Sequence, residues 1–351
     1  MLENLHVRNL TVFPEANLQF SKNLNIIIGE NSTGKSHLLK IAYGALSTSW
    51  EGNRKAKGSS PTKTLIQTHL AEKLVNIFRP ASLGRLTRRK QGRERCEVKL
   101  TFSNSQFDFA FSFASNSKTE VSMEQVPQSW LNAPSVYLPT RELLTLSPNF
   151  VAFYEGHYLE FEETWRDTCL LLGAPLYRGI KEKQIQELLK PLELAMGGSV
   201  ELDTHGRFYL NQGASRGRFE MSLVAEGQRK LAMLARLVAT GVLLEQGVLF
   251  WDEPEANLNP RLLRQVAESL IHLSHGGVQV FLATHSLFLL REIEILMAHG
   301  YDRKIEPRFF GLHFSEGGVV VEQGDSIDQV GNIATLDENL AQTDRFLDAD
   351  H

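Results

Sequence analysis

Cysteine is scarce in this chain. Its 351 residues hold two, Cys96 and Cys169, which form no metal-ligand or redox spacing. That fits a reducing compartment. Long apolar runs are also missing: none nears the roughly 18–20 residues that cross a bilayer. The opening Met1-Leu2-Glu3-Asn4-Leu5-His6 has neither the basic start nor the apolar stretch of a secretory leader. We therefore expect a cytoplasmic protein with no membrane segment. No charge of one sign dominates, with a net charge of −4, so no global field draws the chain to nucleic acid or anionic lipid. Internal repeats and low-complexity tracts are absent. What remains is an ordinary globular composition, 42% hydrophobic and 22% charged, long enough for one large or two ordinary domains.

Against that plain background, residues 29–36 stand out. Gly29-Glu30-Asn31-Ser32-Thr33-Gly34-Lys35-Ser36 has the spacing of a phosphate-binding loop. It follows the apolar run Leu24–Ile28 and precedes His37-Leu38-Leu39-Lys40, a strand and a helix start. That context gives the pattern its meaning. The glycines let backbone N–H groups turn toward a polyphosphate, and the helix N-terminus adds positive charge. Lys35 would reach the β- and γ-phosphates, and Ser36 would ligate Mg²⁺. The spacing thus predicts ATP or a similar nucleotide, with Mg²⁺, held by residues 29–37.

Hydropathy predicts the surrounding elements. Residues 2–20 alternate as two strands joined around Pro14–Asn17. The helix after the loop ends near residue 48, and the polar residues 49–63 read as a loop. Residues 64–78 have helical periodicity. Cys96–Phe102, Phe107–Phe113 and Ser135–Leu138 read as strands. Residues 159–196 read as helices broken at Gly173–Pro175 and Pro191. Val200–Leu202 and Phe208–Leu210 form a hairpin. A long amphipathic helix covers 223–245. Val248–Trp251, Val278–Ala283 and Phe309–His313 read as buried strands separated by helices, the signature of a mostly parallel sheet. Gly317–Glu322 adds an edge strand, and the last 20 residues read as a closing helix.

Two of these strands end in chemistry. Val248-Leu249-Phe250-Trp251 delivers Asp252-Glu253-Pro254. Asp252 would hold Mg²⁺, and Glu253 could orient or deprotonate a water in line with the γ-phosphate. An Asp-Glu pair after a strand is often only a solvated loop, but the phosphate loop upstream favours the catalytic reading. Val278–Ala283 ends in Thr284-His285-Ser286. A lone His at a strand end is commonly structural; here its near-neutral pKa suits a contact to phosphate or attacking water. Glu226-Gly227-Gln228 opens the long helix, where N–H groups can face an anion.

Taken in this order, the motifs resemble the ABC-class ATPases, the group that includes the RecF, SMC and Rad50 proteins and the OLD-type ATPases. Residues 225–228, 252–260 and 284–286 are similar to compact prokaryotic AAA15/AAA21-type (AAA family) ATPases. The resemblance implies an α/β P-loop NTPase fold of ABC-ATPase type, with a mostly parallel sheet, an antiparallel β subdomain and a helical subdomain. It implies one domain over 1–351, with 49–130 an inserted basic and β-rich segment and 150–222 a helical, signature-bearing subdomain. It also implies a homodimer sandwiching two ATP molecules. Lys35, Ser36, Asp252, Glu253 and His285 would come from one chain and Glu226-Gly227-Gln228 from the other. Two positions depart from the family pattern: Ala225 replaces the usual Ser, with Ser222 out of register, and Asn259 replaces the usual Asp. Asn259 also has a local role available, capping a helix that starts at Pro260.

Other features stay open. Arg141-Glu142 follows a strand where the family usually has a Gln that reports the γ-phosphate; it is a sensor or a surface ion pair. Phe13 is an adenine-stacking candidate or a hairpin aromatic. Arg79, Arg85, Arg88, Arg89, Lys90, Arg93 and Arg95 could grip nucleic acid or an acidic partner, or belong to a solvated insertion. Asp348-Ala349-Asp350 follows no strand and reads as an acidic terminus rather than nuclease acids, so the chain resembles the ATPase half of OLD-type proteins without the nuclease half. The leading expectation is an ATP-hydrolysing dimeric switch in prokaryotic anti-phage (antiviral) defence or DNA maintenance, working with a separate effector or nuclease. The alternatives are the ATP-binding subunit of an ABC transporter and a nucleotide-dependent regulatory module with little hydrolysis.

Overall fold

The computed structural model describes the chain except for residues 57, 90–93, 158, 245–246, 299–304, 332–333 and 350–351. The chain opens with a hairpin, β1 (Leu2–Leu10) and β2 (Phe13–Gln19), followed by β3 (Leu24–Gly29) and the long α1 (Lys35–Ala56). Next come α2 (Lys63–Phe78), β4 (Arg95–Phe102), β5 (Phe109–Ala114), β6 (Ser122–Gln125) and β7 (Ser135–Leu138). A helical stretch follows: α3 (Ser147–Gly156), α4 (Glu163–Leu172) and α5 (Glu182–Met196). Three short strands, β8 (Ser199–Leu202), β9 (Phe208–Asn211) and β10 (Arg218–Glu220), lead to α6 (Glu226–Ala239). The chain closes with β11 (Val248–Asp252), α7 (Pro260–His275), β12 (Gln279–Thr284), α8 (Leu287–Ala298), β13 (Pro307–Ser315), β14 (Gly318–Gly324) and α9 (Ala334–Ala349).

The central sheet has the order β14-β13-β3-β12-β11-β7. The four pairings from β13 to β7 are parallel, and the outer β13–β14 pair is antiparallel. Side chains alternate across it. Ile26, Ile28, Leu249, Trp251, Val280 and Leu282 join one core with α6, α7 and α8. Ile27, Tyr137, Phe250, Phe281 and Phe310 join a second core with α1, α2 and an antiparallel sheet of order β2-β1-β4-β5-β6. Both faces are covered, which is why these strands read as near-continuous apolar runs. The Gln279 side chain ties the two sheets, accepting from Leu2 N at 3.0 Å and donating to Leu2 O at 2.7 Å. No described helix is long and apolar enough to cross a membrane.

Several local expectations are corrected. The first turn lies at Thr11-Val12, not at Pro14–Asn17. Pro14 sits inside β2, an edge strand of its sheet, where a missing N–H costs no ladder bond. Helix α1 runs through residues 49–56, which the polar composition assigned to a loop. Pro191 lies within α5 rather than breaking it. Helix α6 is shorter than the expected 223–245, ending at Ala239.

Candidate functional site

The carboxyl ends of neighbouring parallel strands gather the site. β3 runs into residues 29–34, β12 into Thr284-His285, and β11 into Asp252-Glu253. In open α/β sheets ligands bind outside this edge. The loop backbone is turned by Ser32 at φ 69° and Gly34 at φ 89°. A Cβ at Gly34 would stand 2.7 Å from both Val12 and Phe13, so the first hairpin presses on the loop and only glycine fits there. Thr33 Oγ1 donates to Glu30 O at 2.8 Å. Helix α1 begins at Lys35; the N–H groups of His37 and Leu38 donate to Gly34 O at 3.0 and 3.1 Å, which leaves those of Lys35 and Ser36 as the helix-start donors without an intrahelical acceptor. Asn31 and Ser32 are exposed at the loop crest.

Lys35 folds back over the loop, donating to Gly29 O at 2.8 Å and Glu30 O at 2.9 Å. Burial pulls its ammonium below the ordinary lysine range, against the upward pull of Glu253, Asp252, Glu255 and Glu30. Asp252 is buried, which pushes its carboxyl up; the Ser36 hydroxyl beside it opposes that shift. Tyr137 Oη donates to Asp252 Oδ2 at 3.0 Å, while buried Oδ1 has no hydrogen-bond partner. An orphaned carboxylate oxygen next to a serine hydroxyl is the hard-oxygen donor set that suits Mg²⁺.

Glu253 sits at φ 46°, a left-handed conformation for a residue that precedes a proline. Such strain costs about 1–3 kcal/mol and persists where surrounding structure enforces it. Here Glu253 N donates to Ala283 O at 2.9 Å. His285 Nδ1 lies 3.3 Å from Glu253 Oε1 and 3.5 Å from Glu255 Oε1. Glu255 in turn accepts from Thr284 Oγ1 at 2.6 Å and His285 N at 3.0 Å. Glu253 N and Glu255 thus tie the segment after β11 to the end of β12, and the His285 ring lies within 3.5 Å of both carboxylates, its Nδ1 without a hydrogen-bond partner. Tyr137 carries no sequence signal of a role at the site, and Glu255 is marked only as part of the family-like stretch 252–260.

Glu226-Gly227-Gln228 lies elsewhere. Among the described residues no side-chain hydrogen bond or ion pair joins it to residues 29–36. It packs on the segment after β11: Asn257 Nδ2 donates to Glu226 Oε1 at 3.0 Å, and Lys230 Nζ to Ala256 O at 2.5 Å. A Cβ on Gly227 would meet Leu262 at 2.6 Å. Ala225 is the N-cap of α6 and supplies no capping bond. Asn259 does cap its helix, accepting from Leu262 N at 3.0 Å, with Pro260 first in α7.

A family profile described as AAA domain, putative AbiEii toxin, Type IV TA system matches residues 24–291. The chain belongs to this AAA-domain family. Its fold is that of the ABC-class P-loop ATPases, and membership in the family implies a nucleotide and usually Mg²⁺. A curated relative is the energy-coupling factor transporter ATP-binding protein EcfA2 of Mycoplasmopsis synoviae (strain 53), 25% identical over 197 residues, 56% of this chain. The match spans about half of that protein, 52% of its length. Two solved structures share the fold. One is an SMC head bound to the C-terminal winged-helix domain of ScpA, with TM-score 0.52 and 14% identity, covering 93% of this chain and 98% of that one. The other is an SMC head with an extended coiled coil bound to a ScpA C-terminal domain derived from Pyrococcus furiosus, with TM-score 0.53 and 12% identity, covering 93% and 97%.

The structure also places the other candidate residues of this AAA-family ATPase. His37 turns from the loop to Thr11, with Nδ1 3.0 Å from Thr11 Oγ1; burial and then Lys40 lower its pKa to about 4. Phe13 is fully buried, so it is a core aromatic and not an adenine platform. The expected surface ion pair at Arg141-Glu142 is replaced by a buried one: Glu142, 3% exposed, meets Arg229 of α6 at 3.3 Å. The basic segment is not one stripe. Arg79 donates to Leu159 O at 2.9 Å, Arg88 to Gly317 O, and Arg95 to Ser112 Oγ at 2.6 Å. Arg85 and Arg89 are exposed, and Lys90 and Arg93 lie outside the described residues. Asp348 is on α9, and Asp350 is also outside them.

Proposed function

We propose that this ATPase is an ATP-hydrolysing dimeric switch, in which binding closes two copies and hydrolysis releases them. The observation that carries the reading is the separation of two half-sites. Lys35, Ser36, Asp252, Glu253 and His285 share one edge of the sheet, whereas Glu226-Gly227-Gln228 has its own helix N-terminus and, among the described residues, no side-chain bond to the phosphate loop. A second copy would supply what each site lacks.

In this reading the N–H groups of residues 29–37 cradle the triphosphate. Lys35 exchanges its contacts with Gly29 O and Glu30 O for phosphate oxygens. Ser36 and Asp252 would hold Mg²⁺, which when bound offsets phosphate charge. Glu253 accepts a proton from the attacking water, and His285 orients Glu253 while contacting the γ-phosphate side. Glu226-Gly227-Gln228 of the partner presents helix N–H groups to the same phosphate. The family description and the partner-bound SMC heads support a role in which the switch acts on a separate effector or nuclease, in anti-phage defence or DNA maintenance. Exposed Arg85 and Arg89 would contribute to any nucleic-acid contact.

The match to EcfA2 favours a second reading, the ATP-binding subunit of a transporter. Purification from native cells separates the two: an integral membrane protein retained on the chain supports the transporter, and a soluble effector the switch. The switch itself is tested by molar mass in solution with ATP and with ADP, alongside turnover. Monomer in both states, or no turnover, contradicts it.

A further inference from the structure

Tyr137 is buried in β7 and held from two sides. Its main-chain carbonyl accepts from Thr168 Oγ1 of α4 at 2.6 Å. Its ring meets the Tyr43 ring edge-on, with centroids 5.4 Å apart. Tyr43 belongs to α1, the helix that carries Lys35, and its hydroxyl donates to Asp167 Oδ2 at 2.8 Å.

Asp167 belongs to a closed cage. Lys73 Nζ sits 2.7 Å from Asp167 Oδ2, 2.5 Å from Glu51 Oε1 and 2.9 Å from Glu163 Oε1. The three carboxylates lie within 4.8 Å of one another, a spacing that could take a metal ion, but the ammonium fills it. The cage joins α1, α2 and α4, so Tyr43 cannot drift without breaking buried charge contacts. Tyr137 is therefore fixed in place before it reaches Asp252.

Terminal carboxylate torsions are broad and only softly restrained, so a rigidly held donor narrows the orientation of a buried carboxylate. Tyr137 engages Oδ2 and leaves Oδ1 with no partner. We propose that Tyr137 is a positioning residue for Asp252, fixing the carboxylate so that Oδ1 is the oxygen left for a divalent cation. The inference rests on the ATP–Mg²⁺ reading of the site.

The test uses Mn²⁺ as a spin probe for Mg²⁺. Its affinity for the full chain with a non-hydrolysable ATP analogue is read by electron paramagnetic resonance in wild type, Tyr137→Phe, Asp252→Asn and the double variant. Analogue binding in metal-free buffer is read in parallel. Tyr137→Phe is expected to weaken Mn²⁺ about 10-fold, to leave metal-free binding unchanged, and to add nothing in the Asp252→Asn background. A merely structural role would weaken both readouts in both backgrounds, and that result overturns the proposal. So does wild-type Mn²⁺ affinity in Tyr137→Phe while Asp252→Asn is weakened. If Asp252→Asn itself binds Mn²⁺ normally, the metal assignment of Asp252 fails and this proposal fails with it. Should Tyr137→Phe not fold, Tyr43→Phe keeps the Tyr137 hydroxyl but loosens its support; a loss of roughly threefold is expected, and no loss counts against the proposal.

Discussion

His285 Nδ1 lies 3.3 Å from Glu253 Oε1, at the ends of two adjacent parallel strands. In the proposed switch the pair would join a proton acceptor to a group that steers it, next to the loop that would hold the phosphates. Replacing Glu253 by Gln keeps shape and removes basicity. Glu253→Gln is expected to bind ATP as wild type does and to hydrolyse it about 10²–10⁴-fold more slowly. Single-turnover assays and equilibrium binding read the two quantities separately.

Lys35 carries the charge of the loop. Lys35→Ala removes the ammonium that bridges Gly29 O and Glu30 O and would meet the β- and γ-phosphates. ATP affinity is expected to fall by at least about 100-fold, a loss of roughly 3 kcal/mol. Isothermal titration calorimetry checks it, with thermal melting as the control for folding.

How much of this was legible in the sequence depends on distance along the chain. The phosphate loop is contiguous, and Asp252-Glu253 and His285 each end a recognisable apolar strand. Tyr137 and Asp252 are 115 residues apart, and nothing local marks their bond. Residues 49–56 looked like a loop because Gly52, Arg54 and Lys55 are poor apolar signals. In the fold Gly52 is where Trp130 packs, its ring 2.3 Å from where a Cβ would stand, and tertiary packing overrides propensity. The basic segment looked like one patch because its cations are adjacent in sequence. Arg79, Arg88 and Arg95 each bond a different element.

His37 makes stability depend on pH. Its pKa is about 4 in the fold against 6.5 as a free side chain, so the unfolded chain binds its proton first as pH falls. The stabilisation is present above 6.5 and lost as pH drops toward 4, amounting to about 3 kcal/mol at most. Urea unfolding of wild type and His37→Asn between pH 7 and pH 4 is expected to show a shallower pH slope for the variant.

Lys73 bridges three carboxylates. Lys73→Met leaves Glu51, Glu163 and Asp167 together without their cation and is expected to destabilise the fold by about 3–5 kcal/mol. Denaturant midpoints check it. Divalent cations entering the emptied cage are expected to restore part of that loss.

Ala225 leaves α6 without a capping side chain. Ala225→Ser is expected to stabilise the fold by about 1 kcal/mol, read from the same denaturation curves. It is also expected to strengthen ATP-driven dimerisation, measured by light scattering.

The composite site is tested most directly by mixing two defective proteins. Lys35→Ala cannot hold ATP but has an intact Glu226-Gly227-Gln228. Gln228→Glu has an intact phosphate loop but puts a negative charge where the partner's phosphate would lie. In a mixed dimer one site has both good halves. Equal mixing should restore about a quarter of wild-type turnover from two inactive proteins, since half the dimers are mixed and each has one working site. If folded, singly inactive variants stay inactive when mixed, the two-chain site is wrong.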